Sequence, residues 1–284
     1  MPSEGPELVP SVYWYKPSGW PNLGDELTTL ILSRLYGARH THQSSVDDAD
    51  LVSVGSNLNQ VFGRAEMKAR TKPLAVVGSG FMHPLLRAPK LPYARIYSLR
   101  GFLSMGLLPD LPDDVSIGDP GLLIPRVLDM QSAPSRRFGF IPHVSRIGDQ
   151  ALRGWAESLP GIALIDFRTD DIDRIAQEIT SCEVVLSQSL HGLILADALG
   201  VPNAWVDAGD LHMGGSFKFY DYFSSVGRDF DLRLNAKNSL SEASAFGVVS
   251  EVKRSKIHAR QADIAAAFES YFAESSVKYT GRDQ

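Results

Sequence analysis

Apolar positions along the chain fall into short runs that alternate with segments of helical period. The strand-like runs are 12–15, 51–54, 74–77, 95–98, 137–141, 163–167, 184–187 and 204–206. Between them, 25–35 sets Leu27, Leu30, Ile31 and Leu35 on one face and stops at Gly37. The segment 171–180 turns Ile172, Ile175, Ala176 and Ile179 inward behind a Thr169 or Asp170 cap. A long last helix, roughly 252–272, carries Ile257, Gln261, Ile264, Phe268 and Phe272 near one stripe and is expected to pack back across the body. Such alternation predicts an α/β fold with mainly parallel sheets. The polar segment 129–135 divides the chain into two βα-rich halves, 1–130 and 131–275, the second carrying the last helix. A polar tail, 276–284, follows. The carboxyl ends of both sets of strands then border a common cleft, the default place for a ligand.

Composition narrows the function. With 284 residues the chain can bury two ordinary cores. Its apolar runs are far shorter than the roughly 20 residues a membrane-spanning helix needs. The start, 1–7, is acidic and rich in Pro and Gly, which reads as a short disordered lead and not as a secretory signal. Cys182 is the single cysteine, so no intrachain disulfide or multi-cysteine metal site forms, as befits a reducing cytoplasm. A net charge of −5 argues against nucleic-acid partners, and any anion site must be local.

The most informative stretch is 187–202. His191 stands at the start of an apolar helix that follows a buried strand and ends at Gly200 and Pro202. Unpaired N–H groups and the positive dipole end suit a phosphate there, and imidazole moves protons near neutral pH. For an isolated histidine, a helix-start hydrogen bond is the commoner role; the surrounding strand ends change that. Glycine-containing turns follow several strands: 20–26, 55–57, 78–80 and 118–121. None matches a Walker A loop or a full G-x-G-x-x-G fingerprint. Asn22, Gly24 and Asp25 form the first turn, where Asp25 either caps the helix or meets a sugar hydroxyl. Arg100, Arg168 and Lys218 are the cations available to an acidic ligand, and His143 also ends a strand. Trp20 and Tyr220 offer rings for sugar stacking. His40 and His42 share a strand-like face, but the segment reads as a polar loop with no third ligand, so no metal site is expected. The Gly-x-Ser-x-Gly elbow of serine hydrolases is absent around Ser187 and Ser189.

Seven blocks in order across residues 12–225 resemble the polysaccharide pyruvyl transferase family. They are Asn22-Leu23-Gly24-Asp25-Glu26, Gly78-Ser79-Gly80-Phe81, Ser98-Leu99-Arg100-Gly101 with Ser104, 118–123, 139–143, 187–202 and 217–223. The short exopolysaccharide-type members are the most similar. The resemblance implies a GT-B-like architecture of two Rossmann-like halves with an interdomain cleft. It also implies transfer of a pyruvyl group from phosphoenolpyruvate to two hydroxyls of a sugar in a polysaccharide or glycolipid precursor. The site would then divide into a donor side, with Arg100, Arg168, His143, Ser187, Ser189 and Gly192, and an acceptor side, with Trp20, Asn22, Gly24, Asp25, Asn57, Lys218 and Tyr220. His191 would protonate the enol carbon. Many members carry arginine where this chain has Ser189, which leaves Arg168 or Arg100 to hold the donor.

The partners so implied are phosphoenolpyruvate and an oligosaccharide or lipid-linked acceptor, without a bound cofactor and with no residue pattern calling for a divalent ion. Location would be cytoplasmic, with peripheral association at the inner face of the membrane. Two other readings share the architecture: a nucleotide-sugar glycosyltransferase and a non-catalytic glycan-binding descendant.

Overall fold

A computed structural model describes residues 9–62, 72–85, 93–128, 134–207, 209, 214–250, 252–275 and 277. The expected boundary at 130, the lead at 1–7 and most of the tail from 276 lie outside the described residues. Val277 is buried.

The first half contains β1 (Ser11–Tyr13), α1 (Leu23–Leu30), β2 (Thr41–Gln43), β3 (Leu51–Val52), α2 (Leu58–Phe62), β4 (Leu74–Ser79), β5 (Ala94–Leu99), α3 (Phe102–Gly106) and β6 (Ser116–Ile117). A 3₁₀ helix, Pro120–Val127, closes it. The second contains β7 (Arg136–Ile141), α4 (Gln150–Ala156), β8 (Ala163–Leu164), α5 (Ile172–Thr180), β9 (Cys182–Ser187), α6 (Leu190–Leu199) and β10 (Asn203–Asp207). It continues through α7 (Phe217–Val226), β11 (Arg233–Asn235), α8 (Glu242–Gly247) and α9 (Arg254–Ser275). Two parallel sheets result, ordered β2-β1-β3-β4-β5-β6 and β11-β10-β9-β7-β8.

Strand alternation builds the layers. Leu74 and Val76 of β4 point into an outer core with α2, while Ala75 and Val77 point into the central one. Likewise Phe138, Phe140, Val184 and Leu186 serve an outer core beneath the second sheet, and Ile141 and Val185 serve the central layer. That central layer also holds apolar residues of α1, α5, α6, α7 and α9, so one core joins both halves. The last helix packs against the first sheet: Phe268 and Phe272 each lie 5.1 Å from Tyr36, and Glu274 binds Arg95 and Tyr97 of β5.

All eight expected strands form, although the 51–54 and 163–167 runs yield only the two-residue β3 and β8. The pattern misses β2, β6 and β11. All three are short sheet-edge strands, and an edge strand buries too little to show apolar alternation. The expected polar loop at His40 and His42 is thus corrected: Thr41–Gln43 pairs with β1, and both imidazoles pack against Trp14. The α5 cap is Asp171, whose carboxylate accepts from Arg174 N, in place of Thr169 or Asp170.

Candidate active site

The strands of both sheets end toward the same place, and backbone contacts bring the halves together there. Leu23 N, at the start of α1, donates to Phe167 O beyond β8 at 3.0 Å. Next to it Gly24 lies flat against the His191 ring, so that a Cβ at residue 24 would collide with Nδ1. His191 stands in the first turn of α6. Ser189 caps that helix by accepting from Gly192 N, and Gly200, with φ 76°, ends it as the glycine pattern predicts. Gly192 is wedged against Ser187 Oγ and Ile141, which leaves no room for a side chain. Ser187 Oγ is spent on Ser189 N and O. Ser187, Ser189 and Gly192 therefore shape the turn that presents His191, the two serines through their hydroxyls and Gly192 through its lack of a side chain.

Four titratable groups gather around this turn. The imidazole of His191 is driven down to about 3 by burial and by the charges of Lys218 and Arg100. At that value the imidazole is neutral near pH 7. Its Nε2 is buried without a hydrogen-bond partner. His143, after β7, is held down to about 4 by burial, Lys218 and Arg146; its Nδ1 accepts from Ser145 N. Lys218, on α7, is buried and drops to about 7, chiefly through desolvation and then the charge of Arg100, with Asp25 opposing. Asp25 rises to about 7 because burial outweighs the Asn22 hydrogen bond and the Lys218 charge. One lysine charge acts on both histidines and on Asp25, which places all four groups in one site.

Asp25 does not cap α1. Its carboxylate accepts from Asn22 Nδ2 at 2.7 Å, while in the first turn Asp25 N and Glu26 N donate to the Asn22 carbonyl and Leu23 N to Phe167 O. Beside the site, Gln188 is fully buried; its Oε1 accepts from His143 N, and its Nε2 has no partner.

Both arginines expected to hold the donor are paired with a carboxylate. Arg100 is fully buried: Nε binds Asp221 of α7 at 2.9 Å, Nη1 binds Ser56 Oγ, and Nη2 binds the Phe81 carbonyl. Arg168 is exposed and grips Asp166 of its own loop with Nε and Nη2. Asn57 is buried, with its amide donating to Val54 O and its backbone N–H to Ser79 Oγ, so it builds the turn before α2. Tyr220 lies on the other side of α7 from Lys218, against Phe230 and Trp205, where its hydroxyl accepts from Arg233. Trp20 is half-buried in the loop leading to α1.

The pattern gave no reason to single out Asp221, Gln188 or Asp119. Asp119 caps the 3₁₀ helix through Gly121 N and is pushed up to about 6 by burial. The i to i+3 spacing of Lys218 and Asp221, which puts two charges on one face of a largely apolar helix, is the signal that could have found Asp221. Among the described residues no group of three or more His, Cys, Asp or Glu is placed to hold a metal ion, and no helix is long and apolar enough to cross a membrane.

The model of the polysaccharide pyruvyl transferase family matches residues 2–210, a span that includes both α1 and α6. The chain belongs to that family. It is similar to the succinoglycan biosynthesis protein ExoV of Rhizobium meliloti, with 30% identity over 240 residues, covering 81% of this chain and 69% of the relative. It is also similar to the uncharacterized protein L143 of Acanthamoeba polyphaga mimivirus, with 28% identity over 220 residues, covering 74% and 72%. In this pyruvyl transferase the family match takes in Asp25, His143 and His191 and stops before α7, the helix that brings Lys218 and Asp221.

Proposed function

We propose that the protein transfers a pyruvyl group from phosphoenolpyruvate to two hydroxyls of a sugar, forming a cyclic ketal and releasing phosphate. The observation that carries this reading is the family match over the two elements, α1 and α6, that meet at His191. The donor phosphate lies at the amino end of α6, where the helix dipole, the Lys218 ammonium and the unpartnered Gln188 amide receive it. Neutral His191 takes the proton of the attacking hydroxyl through its free Nε2 and passes it to the departing phosphate. Lys218 stabilises the charge that grows on phosphate as the bond breaks. The relative named for succinoglycan biosynthesis supports an exopolysaccharide or lipid-linked oligosaccharide as acceptor. Such an acceptor would be met at the cytoplasmic face of the membrane.

The test incubates the protein with phosphoenolpyruvate and glucosyl, galactosyl and mannosyl acceptors, following phosphate release and the mass gain of a pyruvate ketal. Acceptor-dependent release is expected, reduced by about 10²- to 10⁴-fold in His191→Ala. Nucleoside diphosphate binding with no release from phosphoenolpyruvate would overturn the reading in favour of glycosyl transfer.

A further inference from the structure

We infer that Asp25 is the catalytic acid that protonates the methylene carbon of the enolpyruvyl donor, with Asn22 as its positioning residue. The assignment rests on the proposed pyruvyl transfer and adds the group that starts it. Addition of a hydroxyl to C2 of an enol phosphate requires a proton at C3, and that proton must come from a group that still carries one at neutral pH. Burial and neighbouring cations hold both histidines neutral near pH 7. Asp119 is fully enclosed with its Oδ1 on the Gly121 N–H and its Oδ2 unpartnered, and the charges that reach it are those of Arg100 and Asp221, not that of Lys218. Lys218 is needed as a cation beside the phosphate.

Asp25 meets the requirement by placement. It follows Gly24, the residue in contact with the His191 ring, so acid and proton acceptor come from opposite halves of the molecule. Its carboxyl is held by Asn22 Nδ2 and takes no part in capping α1. The charges that reach it are Lys218 from α7, which favours the carboxylate, and Glu26 on its own helix, which opposes it; His191 of α6 is neutral. Burial dominates and holds part of the population protonated at pH 7. A bound phosphoenolpyruvate, itself anionic, pushes the carboxyl further toward the protonated form.

The step balances. The Asp25 proton goes to C3, making the methyl group, while the first hydroxyl oxygen bonds to C2 and its proton passes to His191. The C2–O bond to phosphate then breaks, and phosphate leaves with the proton from His191. The second hydroxyl bonds to C2 and returns its proton to Asp25, ready for the next turnover.

The experiment compares wild type, Asp25→Asn, Asp25→Glu and Asn22→Ala, using the acceptor that releases most phosphate in the panel. It measures kcat against pH and binds phosphoenolpyruvate by calorimetry. Asp25→Asn is expected to lower kcat by about 10²- to 10⁴-fold with donor affinity held within about threefold, and Asp25→Glu to recover part of the rate. A required acid makes wild-type kcat fall as pH rises through its pKa. Asn22→Ala removes a bond that favours the charged form, so it should move that fall to higher pH; a fall governed by Lys218 would move to lower pH instead, because a protonated Asp25 no longer supports the ammonium. An active wild type with unchanged kcat in Asp25→Asn, or a fall that Asn22→Ala leaves in place or moves to lower pH, overturns the Asp25 assignment alone. A wild type that neither binds phosphoenolpyruvate nor releases phosphate overturns the donor reading and this assignment with it.

Discussion

Arg100 and Asp221 form an ion pair with both side chains fully buried, Nε to Oδ2 2.9 Å, one from the end of β5 and the other from α7. The pair ties the two halves beside the active site. Asp221 also accepts from Ser104 N at 2.7 Å and Ser104 Oγ at 2.6 Å, so both carboxylate oxygens are satisfied within the first half. Gly101 is pressed against the Asp221 carbonyl, and Phe102 N donates to Ser224 Oγ of the same helix. Since Lys218 lies one turn earlier on α7, the latch also sets where its ammonium sits.

Removing one member of this pair leaves the other charge buried without compensation. Asp221→Ala is expected to destabilise the protein by about 3–5 kcal/mol, read from urea unfolding. A loss below about 1 kcal/mol would show that the halves do not depend on the latch.

Gly24→Ala puts a methyl group into the His191 ring, and the imidazole must move to accommodate it. Displacement of a catalytic group by about 1 Å costs on the order of 10²-fold in rate, and that loss is expected with circular dichroism unchanged. In a His191→Ala background the collision is gone, so adding Gly24→Ala should cost nothing further. Additive losses in the double variant would mean that residue 24 acts by another route.

Lys218 loses its proton more easily in the folded protein, at about 7, than in the unfolded chain. Between the two pKa values the unfolded state binds more protons, so stability rises with pH from about 7 toward the unfolded lysine value near 10.4. Below pH 7 the full cost of burying the ammonium is present. Lys218→Met should therefore be more stable than wild type at pH 6–7, by on the order of 3 kcal/mol, and should lack the gain at higher pH. Its phosphate release should fall at the same time. Thermal unfolding across pH 6–10 reads the first effect, and equal stability of both proteins at pH 6 would refute it.

A second buried link sets the angle between the helices that carry His191 and Lys218. Asp197 of α6 accepts from Tyr222 Oη of α7 at 2.8 Å and from Asn203 Nδ2 at 2.7 Å. Arg228, also buried, binds Asn203 and lies 3.7 Å from Asp197. None of these residues carries a periodic signature, because a polar network is defined by which side chains meet and not by their spacing in the chain.

The sequence by itself determined the α/β class, the eight principal strands, the helix that presents His191 with its Gly200 stop, and the family blocks. These follow from local rules: apolar period, glycine dihedrals and the residue types that a turn accepts. Only the tertiary structure decided how the charged residues are used. Arg100 and Arg168 looked alike as strand-end cations, yet one is sealed against Asp221 and the other pairs on the surface with Asp166. Asp25 read equally well as a helix cap or a ligand contact until Asn22 was seen to hold its carboxyl. The residue type alone leaves the protonation of His191 open, and burial with two nearby cations favours the neutral ring. Protonation and pairing depend on desolvation and on charges brought close by folding, and partners such as Arg100 and Asp221, 121 positions apart, leave no trace of their contact in either local pattern.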